Sequence, residues 1–386
     1  MAFPGASSSA AGYNLLHPLL SFIINIMMFL GNTVFIFSML CLVDLDDYAS
    51  TVFLLGLIDA LAAAPAGELV AQIPRPAANK AEATATVDRM MRFLASHGVV
   101  TCSTDEGAAP APDGSSTVLR RYAKRPVCRW LSATNNGEGS LAALAMFGFQ
   151  QPFLNPWQHM AEAVLSGGVA FEMANGMPAF EYMGKNPQLS ALYNQAMSQL
   201  SLLVCRKMLE GRFTAVGGFD DIQVLVDVGG GAGTALGMIP SRYKHIKGIN
   251  FDLPFVISQT KPIPGVEHVG GNMLDYVPSG DAVFMKSVLH LLDDDDCVKL
   301  LNSCYWSVPE KGKVIAMEVV LPATPETTQA GRFPFQFDII CLLNGLKGGR
   351  ERTEQEYARL ATGAGFRTPI RSTAVFGAYW VLEFIK

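Results

Sequence analysis

The chain has 386 residues, half of them hydrophobic and only 16% charged, with a formal net charge of −5. That length makes two or three domains the expectation, and the apolar content excludes disorder by composition. Its 22 Pro and 36 Gly follow no triplet period, which excludes a collagen-like chain, and the mildly acidic balance offers no broad basic surface for nucleic acid.

None of the 29 basic and 34 acidic residues falls in residues 1–43. Within them, Leu15–Val43 is mostly Leu, Ile, Phe, Met and Val, long enough to span a bilayer. Pro18, Asn25, Gly31 and Asn32 interrupt it, no basic stretch precedes it as a signal peptide requires, and Asp44, Asp46 and Asp47 follow it. Three readings stay open: a membrane span, a pair of buried or dimer-interface helices hinged at Gly31–Asn32, and a segment foreign to the ancestral fold.

Next, Val87, Met90, Met91, Phe93 and Leu94 recur at a helical period, and Gly98 stands where a helix should end. Val99–Ser103 and Thr117–Tyr122 read as short strands on either side of a Gly/Ala/Pro/Asp-rich loop, 105–116. Helix and hairpin together predict a winged-helix-like module. Its cluster of Arg120, Arg121, Lys124, Arg125 and Arg129 reads as a solvated face rather than a DNA footprint. Residues 139–213 are predicted helical, with breaks at Gly167–Gly168 and Asn186–Pro187. Their aromatics, Phe147, Phe149, Phe153, Trp157, Phe171, Phe180 and Tyr193, suit a core, with a few to line an apolar pocket.

From Ile222 the pattern changes. Val224–Val228, Ile246–Phe251, Ala282–Met285, Lys313–Glu318 and Ala378–Phe384 are apolar runs set between helical stretches, which predicts a doubly wound α/β sheet beyond a boundary near Gly211–Asp220. The run Asp293–Asp296 reads as the acidic first turn of a helix carrying Val298, Leu300 and Leu301, not as a metal site. Seven scattered cysteines without a CxxC pair argue against a disulfide framework or zinc site and for buried free thiols; Cys297 and Cys304 share a predicted helix.

The chemistry gathers at Val224-Leu-Val-Asp-Val-Gly-Gly-Gly-Ala-Gly233, a buried strand running into a glycine turn. The dinucleotide fingerprint fails there, because Thr234 and Leu236 stand where its third glycine would fall. Asp252 closes the next strand, placed to accept from ribose hydroxyls. A nucleoside site without a pyrophosphate fingerprint points to S-adenosyl-L-methionine rather than NAD.

With Gly248-Ile-Asn-Phe-Asp-Leu-Pro254, Pro264-Gly-Val-Glu-His-Val-Gly-Gly-Asn-Met273, Gly280-Asp-Ala-Val-Phe-Met-Lys286 and Gly348-Gly-Arg-Glu-Arg-Thr353, the chain from about Gly56 onward resembles the plant O-methyltransferases of the caffeic acid O-methyltransferase type. The resemblance implies a C-terminal Rossmann-like methyltransferase domain (216–386), a mainly helical, winged-helix-like dimerisation and acceptor-pocket domain (53–215), and an atypical segment (1–52). It implies that Gly229, Gly231, Asp252, Leu253, Asn272, Met273 and Lys286 bind S-adenosyl-L-methionine, with Asn272 replacing the family's Asp at the adenine. His290 matches the general base, and Glu318 and Glu351 the carboxylates flanking its imidazole. Phe147, Tyr193, Met197 and Asn344 match acceptor-pocket positions. No metal is required. The implied acceptor is a small phenolic, phenylpropanoid or flavonoid-like, and the implied assembly a homodimer in the cytoplasm, with membrane association through residues 15–43 as the alternative. Several positions depart from the family: Leu291 and Leu292 follow His290 in place of Asp-Trp, Ser287 replaces a common Trp, Gly148 an Asn and Leu200 a His. These make the pocket more apolar and suit a bulkier or less polar phenol, or a much reduced activity. A diverged, non-catalytic homologue is the second reading.

Overall fold

A computed structural model describes residues 57–386 apart from 74–75, 105–118, 133–136 and 345–347. The stretch Leu15–Val43 with its three readings, segment 1–52, Cys41 and the loop 105–116 lie outside the described residues.

Helices of six or more residues begin with α1 (Ala66–Ala71) and α2 (Lys80–Ser96). Asn79 caps α2 by accepting the Glu82 N–H, and Val87, Met90, Met91 and Leu94 form the buried face. Gly98 follows the C-cap His97 at φ +77°. Strand β1 (Val100–Thr104) pairs antiparallel with β2 (Arg120–Lys124). The second strand runs past the expected Tyr122 because Lys124 lies opposite Val100, the buried end of β1. The buried Tyr122 donates its hydroxyl to Asp88 at 2.7 Å, pinning the hairpin to α2. Much of the basic cluster is engaged inside this module. Arg120 pairs with Asp88 at 3.3 Å, Lys124 donates to the Asp59 carbonyl, and the Arg129 guanidinium sits 4.1 Å from the centre of the Trp130 ring.

The helical stretch comprises α3 (Ala142–Gly148), α4 (Pro156–Ser166), α5 (Ala170–Asn175), α6 (Ala179–Lys185) and α7 (Pro187–Glu210). The two expected breaks are the α4/α5 and α6/α7 junctions. Pro156 and Pro187 open their helices, where a missing N–H costs nothing.

The larger sheet is built from β3 (Val224–Val228), β4 (Lys247–Asp252), β5 (Val266–Gly270), β6 (Ala282–Lys286), β7 (Lys313–Leu321), β8 (Arg352–Thr353), β9 (Arg371–Phe376) and β10 (Tyr379–Ile385). Between them run α8 (Thr234–Arg242), α9 (Asp294–Ser307), α10 (Gln329–Asn344) and α11 (Glu354–Gly363). The strand order is β5-β4-β3-β6-β7-β10-β9, with β8 beside β7. β3 to β7 are mutually parallel, and β10 runs antiparallel to β7 and β9. Strands β3, β6 and β7 are buried along nearly their whole length, as parallel strands covered by helices must be. β7 continues three residues beyond the expected Glu318 because Val319 pairs with β10, and Val320 and Leu321 with β8. Asp293 caps α9 by accepting the Asp296 N–H, so the aspartate run is the acidic first turn that the sequence predicts. Cys297 and Cys304 are buried free thiols on α9; Cys102 is exposed and Cys341 half-buried.

The strand order reverses at β3, which pairs with β4 on one side and β6 on the other. Open α/β sheets bind ligands beyond the carboxyl ends of the strands at such a switch point.

Candidate active site

Every residue expected to hold the cofactor sits at a strand's carboxyl end: Gly229 and Gly231 after β3, Asp252 and Leu253 at β4, Asn272 and Met273 after β5, Lys286 ending β6. The turn depends on glycine. Gly229 has φ +69°, and a Cβ there would lie 2.8 Å from the Val288 side chain. Gly231, at φ +57°, donates its N–H to Asp252 Oδ2 at 2.8 Å, while Asp252 Oδ1 accepts from Leu253 N at 2.7 Å. Each carboxylate oxygen thus holds one backbone donor and keeps a lone pair for a hydroxyl. Burial raises the Asp252 carboxyl above its ordinary value, against these two donors. Beneath the turn, Asp227 lies opposite Asn250 across β3 and β4, and Asp227 Oδ2 and Asn250 Oδ1 are buried with no partner among the described residues. Burial pushes the Asp227 carboxyl up to about 8, opposed by the nearby Lys286. Asn272 is exposed, and its side-chain oxygen accepts the Leu274 N–H at 3.1 Å.

His290 sits in a short 3-10 turn, Leu289–Leu291, held from both sides. Glu318, fully buried on β7, accepts the N–H groups of Val288 at 2.8 Å and Leu289 at 2.9 Å through one oxygen. Arg352, fully buried on β8, donates to the carbonyls of Leu289 and Leu292 and to Asp294. Glu351 Oε1 lies 2.8 Å from His290 Nδ1. The two carboxylates expected to flank the imidazole hold the ring differently, and the Glu318 carboxyl, raised by burial, also feels the His290 charge. Glu351 contacts the ring nitrogen; Glu318 bonds the backbone of the turn through one oxygen, because two buried N–H donors face it. Burial alone would lower the imidazole pKa, but the Glu351 charge overrides it and holds His290 well above its ordinary value. Asp338 on α10 accepts the Glu351 N–H at 3.0 Å.

On the acceptor side, the rings of Phe147 and Tyr193 lie 5.2 Å apart. Burial raises the Tyr193 hydroxyl, and the charges of His290, Asp252 and Cys341 act on it. Met197 follows one turn along α7, where Ser198 bonds Thr234 at the start of α8 and ties this wall to the glycine turn. Asn344 ends α10 on the same face as Cys341, whose thiol lies 3.5 Å from His290 Nδ1. Leu200, where the family has a His, is core, at 3% exposure. Arg352, Asp338 and Cys341 were not singled out by the sequence. Arg352 carried a signal, a charge within the quoted Gly348–Thr353 motif beside Glu351; Asp338 and Cys341 sit in an apolar helix and carried none.

A family model for the O-methyltransferase domain matches residues 157–367, and one for the O-methyltransferase dimerisation domain matches residues 49–134. The chain belongs to the plant S-adenosylmethionine-dependent O-methyltransferases of the caffeic acid O-methyltransferase type. It is 51% identical to a probable inactive methyltransferase of Oryza sativa subsp. japonica, over 86% of this chain and 88% of the other. It is 47% identical to that plant's naringenin 7-O-methyltransferase, again over 86% and 88%. Human N-acetylserotonin methyltransferase, solved in complex with S-adenosylmethionine, shares the fold with a TM-score of 0.71 over 99% of both chains at 20% identity.

The cofactor of this family is S-adenosyl-L-methionine, and the site suits it. Each Asp252 oxygen holds a single backbone donor and keeps a lone pair for a ribose hydroxyl, and nothing lies within 4 Å of where a Cβ on Gly231 would stand, which leaves space for close approach. Among the described residues, no helix is long and apolar enough to cross a membrane.

Proposed function

We propose that the chain transfers the methyl group of S-adenosyl-L-methionine to a hydroxyl of a small aromatic acceptor, phenylpropanoid or flavonoid-like, with His290 as general base. When bound, the cofactor supplies an electrophilic methyl on a sulfonium. Gly229, Gly231, Asp252, Leu253, Asn272, Met273 and Lys286 hold it; Phe147, Tyr193, Met197 and Asn344 line the acceptor pocket. The observation that carries the reading is the 2.8 Å bond between His290 Nδ1 and Glu351. With Nδ1–H donating to the carboxylate, Nε2 is left to take the hydroxyl proton. A phenol near pKa 10 and an ordinary imidazole near 6.5 leave about 5 kcal/mol against full proton transfer. Raising the imidazole narrows that gap, and transfer concerted with attack narrows it further. Glu318 and Arg352 act by positioning the turn that carries the ring. The dimerisation-domain match supports a homodimer, which we place in the cytoplasm. We divide the chain into an atypical segment 1–52, a dimerisation and acceptor domain 53–215 and a catalytic domain 216–386.

Incubation with methyl-labelled cofactor and a panel of phenols tests this, with label expected in at least one aromatic hydroxyl. One observation favours a second reading, a non-catalytic homologue that keeps the cofactor site. Leu291 and Leu292 follow the histidine where the family has Asp-Trp, and a relative at 51% identity is a probable inactive methyltransferase. Cofactor binding with no label in any acceptor would select that reading.

A further inference from the structure

Cys341 has no part in the methyl transfer proposed above. Its sulfur lies 3.5 Å from His290 Nδ1 and 3.8 Å from Glu351 Oε1, and those two atoms are 2.8 Å apart. Among the described residues, this trio alone groups three potential metal ligands. A tetrahedral zinc ion bound to sulfur at about 2.3 Å and to nitrogen and oxygen at about 2.0 Å spans S···N and S···O edges of about 3.5 Å and an N···O edge of about 3.3 Å. Both sulfur edges already fit closely. The third opens by about half an ångström when its hydrogen bond gives way to the ion. Glu351 also carries a buried second oxygen with no partner among the described residues, which leaves acceptor capacity for a cation.

We propose that His290, Cys341 and Glu351 form a site for a thiophilic divalent cation such as Zn2+, whose binding switches the imidazole off as a base. The charges balance. With the ring protonated, the empty site holds an imidazolium, a carboxylate and a thiol, with no net charge. The loaded site holds a neutral imidazole, a carboxylate, a thiolate and the dication, again with no net charge. Two protons leave, one from Nδ1 and one from the thiol, so the ion enters without adding net charge to a buried place. Once the ion takes the Nδ1 lone pair, the remaining ring proton sits on Nε2, which then donates and cannot accept from a hydroxyl. Three protein ligands leave a fourth position open on the ion. The switching clause rests on the function proposed above; the binding clause does not.

The test is titration of the full-length protein with CoCl2, followed by ZnCl2. The wild-type chain should take up one Co2+ with a thiolate-to-cobalt charge-transfer band, which Zn2+ then abolishes. Uptake should strengthen by up to about a hundredfold per pH unit where both protons are displaced. Cys341→Ser and Cys341→Ala should bind at least tenfold more weakly and lack the band, with circular dichroism and cofactor titration checking their fold. Absence of the band in the wild type, or equal affinity in folded variants, overturns the site. Continued methyl transfer with the site filled by Zn2+ overturns the switch. A chain with no turnover defeats the function reading alone, because the cobalt titration needs no acceptor.

Discussion

Nδ1 of His290 and Oε1 of Glu351 lie 2.8 Å apart, with the carboxylate carried on a buried residue and the imidazole, partly exposed, on a short 3-10 turn. Opposite charge at this distance favours the imidazolium, and it outweighs the burial that would lower the pKa. The neutral ring that can act as base is populated only as pH climbs through the raised value. Turnover with a phenolic acceptor should therefore fall as pH drops below that value, giving an alkaline optimum. Glu351→Gln removes the charge and should move this limb to lower pH, with kcat reduced about tenfold or more from lost orientation. The pH profiles of kcat/KM for both proteins are the check, and an unshifted limb contradicts the assignment. Stability follows the opposite direction. The pair's contribution is complete below the unfolded histidine value of about 6.5 and is lost as pH rises through the folded one. Urea midpoints of the wild type should decline across that window, and those of Glu351→Gln should decline less.

Removing the ring makes a separate prediction. His290→Ala should lower kcat at least a hundredfold, the range for a positioned general base. Its cofactor dissociation constant should stay within about twofold, because the residues proposed to hold the cofactor sit at the carboxyl ends of β3, β4, β5 and β6 and not on the His290 turn. Calorimetry with S-adenosylhomocysteine beside single-turnover kinetics separates the two quantities.

The parallel strands were legible because burial on both faces writes them as continuous apolar runs, as in Val224–Val228 and Ala282–Met285. Strands β5 and β9 escaped notice for the converse reason. Val266–Gly270 sits at one sheet edge and Arg371–Phe376 at the other, neither with a fully buried residue, so neither carries an apolar run. The glycine turn and the acid ending the next strand, proposed above to hold the cofactor, were legible because they are local features of the chain. The support of the histidine was not. Arg352 reaches Leu289 and Leu292 across about sixty positions of sequence, and its motif, which also holds Arg350, gives no hint that one of the two arginines is fully buried.

That support has a measurable cost of removal. Glu318→Ala strips the carboxylate acceptor from two buried N–H groups, those of Val288 and Leu289. At about 1–3 kcal/mol for each unsatisfied buried group, a loss of about 3 kcal/mol is expected. Glu318→Gln keeps an oxygen in the same place and should lose less than half as much. Equilibrium urea unfolding of the two variants gives the comparison; equal losses would mean that charge matters there, not the two bonds.

Arg352→Met tests the other side of the same turn. The change leaves the Leu289 and Leu292 carbonyls without their guanidinium donor. The salt bridge to Asp294 adds little, because that carboxylate is 53% exposed and well screened. A loss of about 2–4 kcal/mol is expected, almost all from the two carbonyls. Asp294→Asn, which weakens only the ion pair, should cost under about 1 kcal/mol. A large effect of Asp294→Asn would place the energy in the ion pair instead.

On the cofactor side, Asp252 serves two masters. Its oxygens hold the Gly231 and Leu253 N–H groups, and under the proposed function they also receive ribose hydroxyls. Asp252→Ala loses both services. With bonds to a charged acceptor at about 1.5–3 kcal/mol, S-adenosyl-L-methionine affinity should fall roughly tenfold to a hundredfold. Asn272→Asp should act in the other direction. The amide oxygen is already used by Leu274 N, whereas a carboxylate brings a second full-strength acceptor to the same exposed turn. A few-fold tightening is expected, weakening again as salt rises because the group is open to solvent. Calorimetric titration at low and high ionic strength measures both changes, and an Asn272→Asp protein that binds no better than the wild type removes position 272 from the cofactor site.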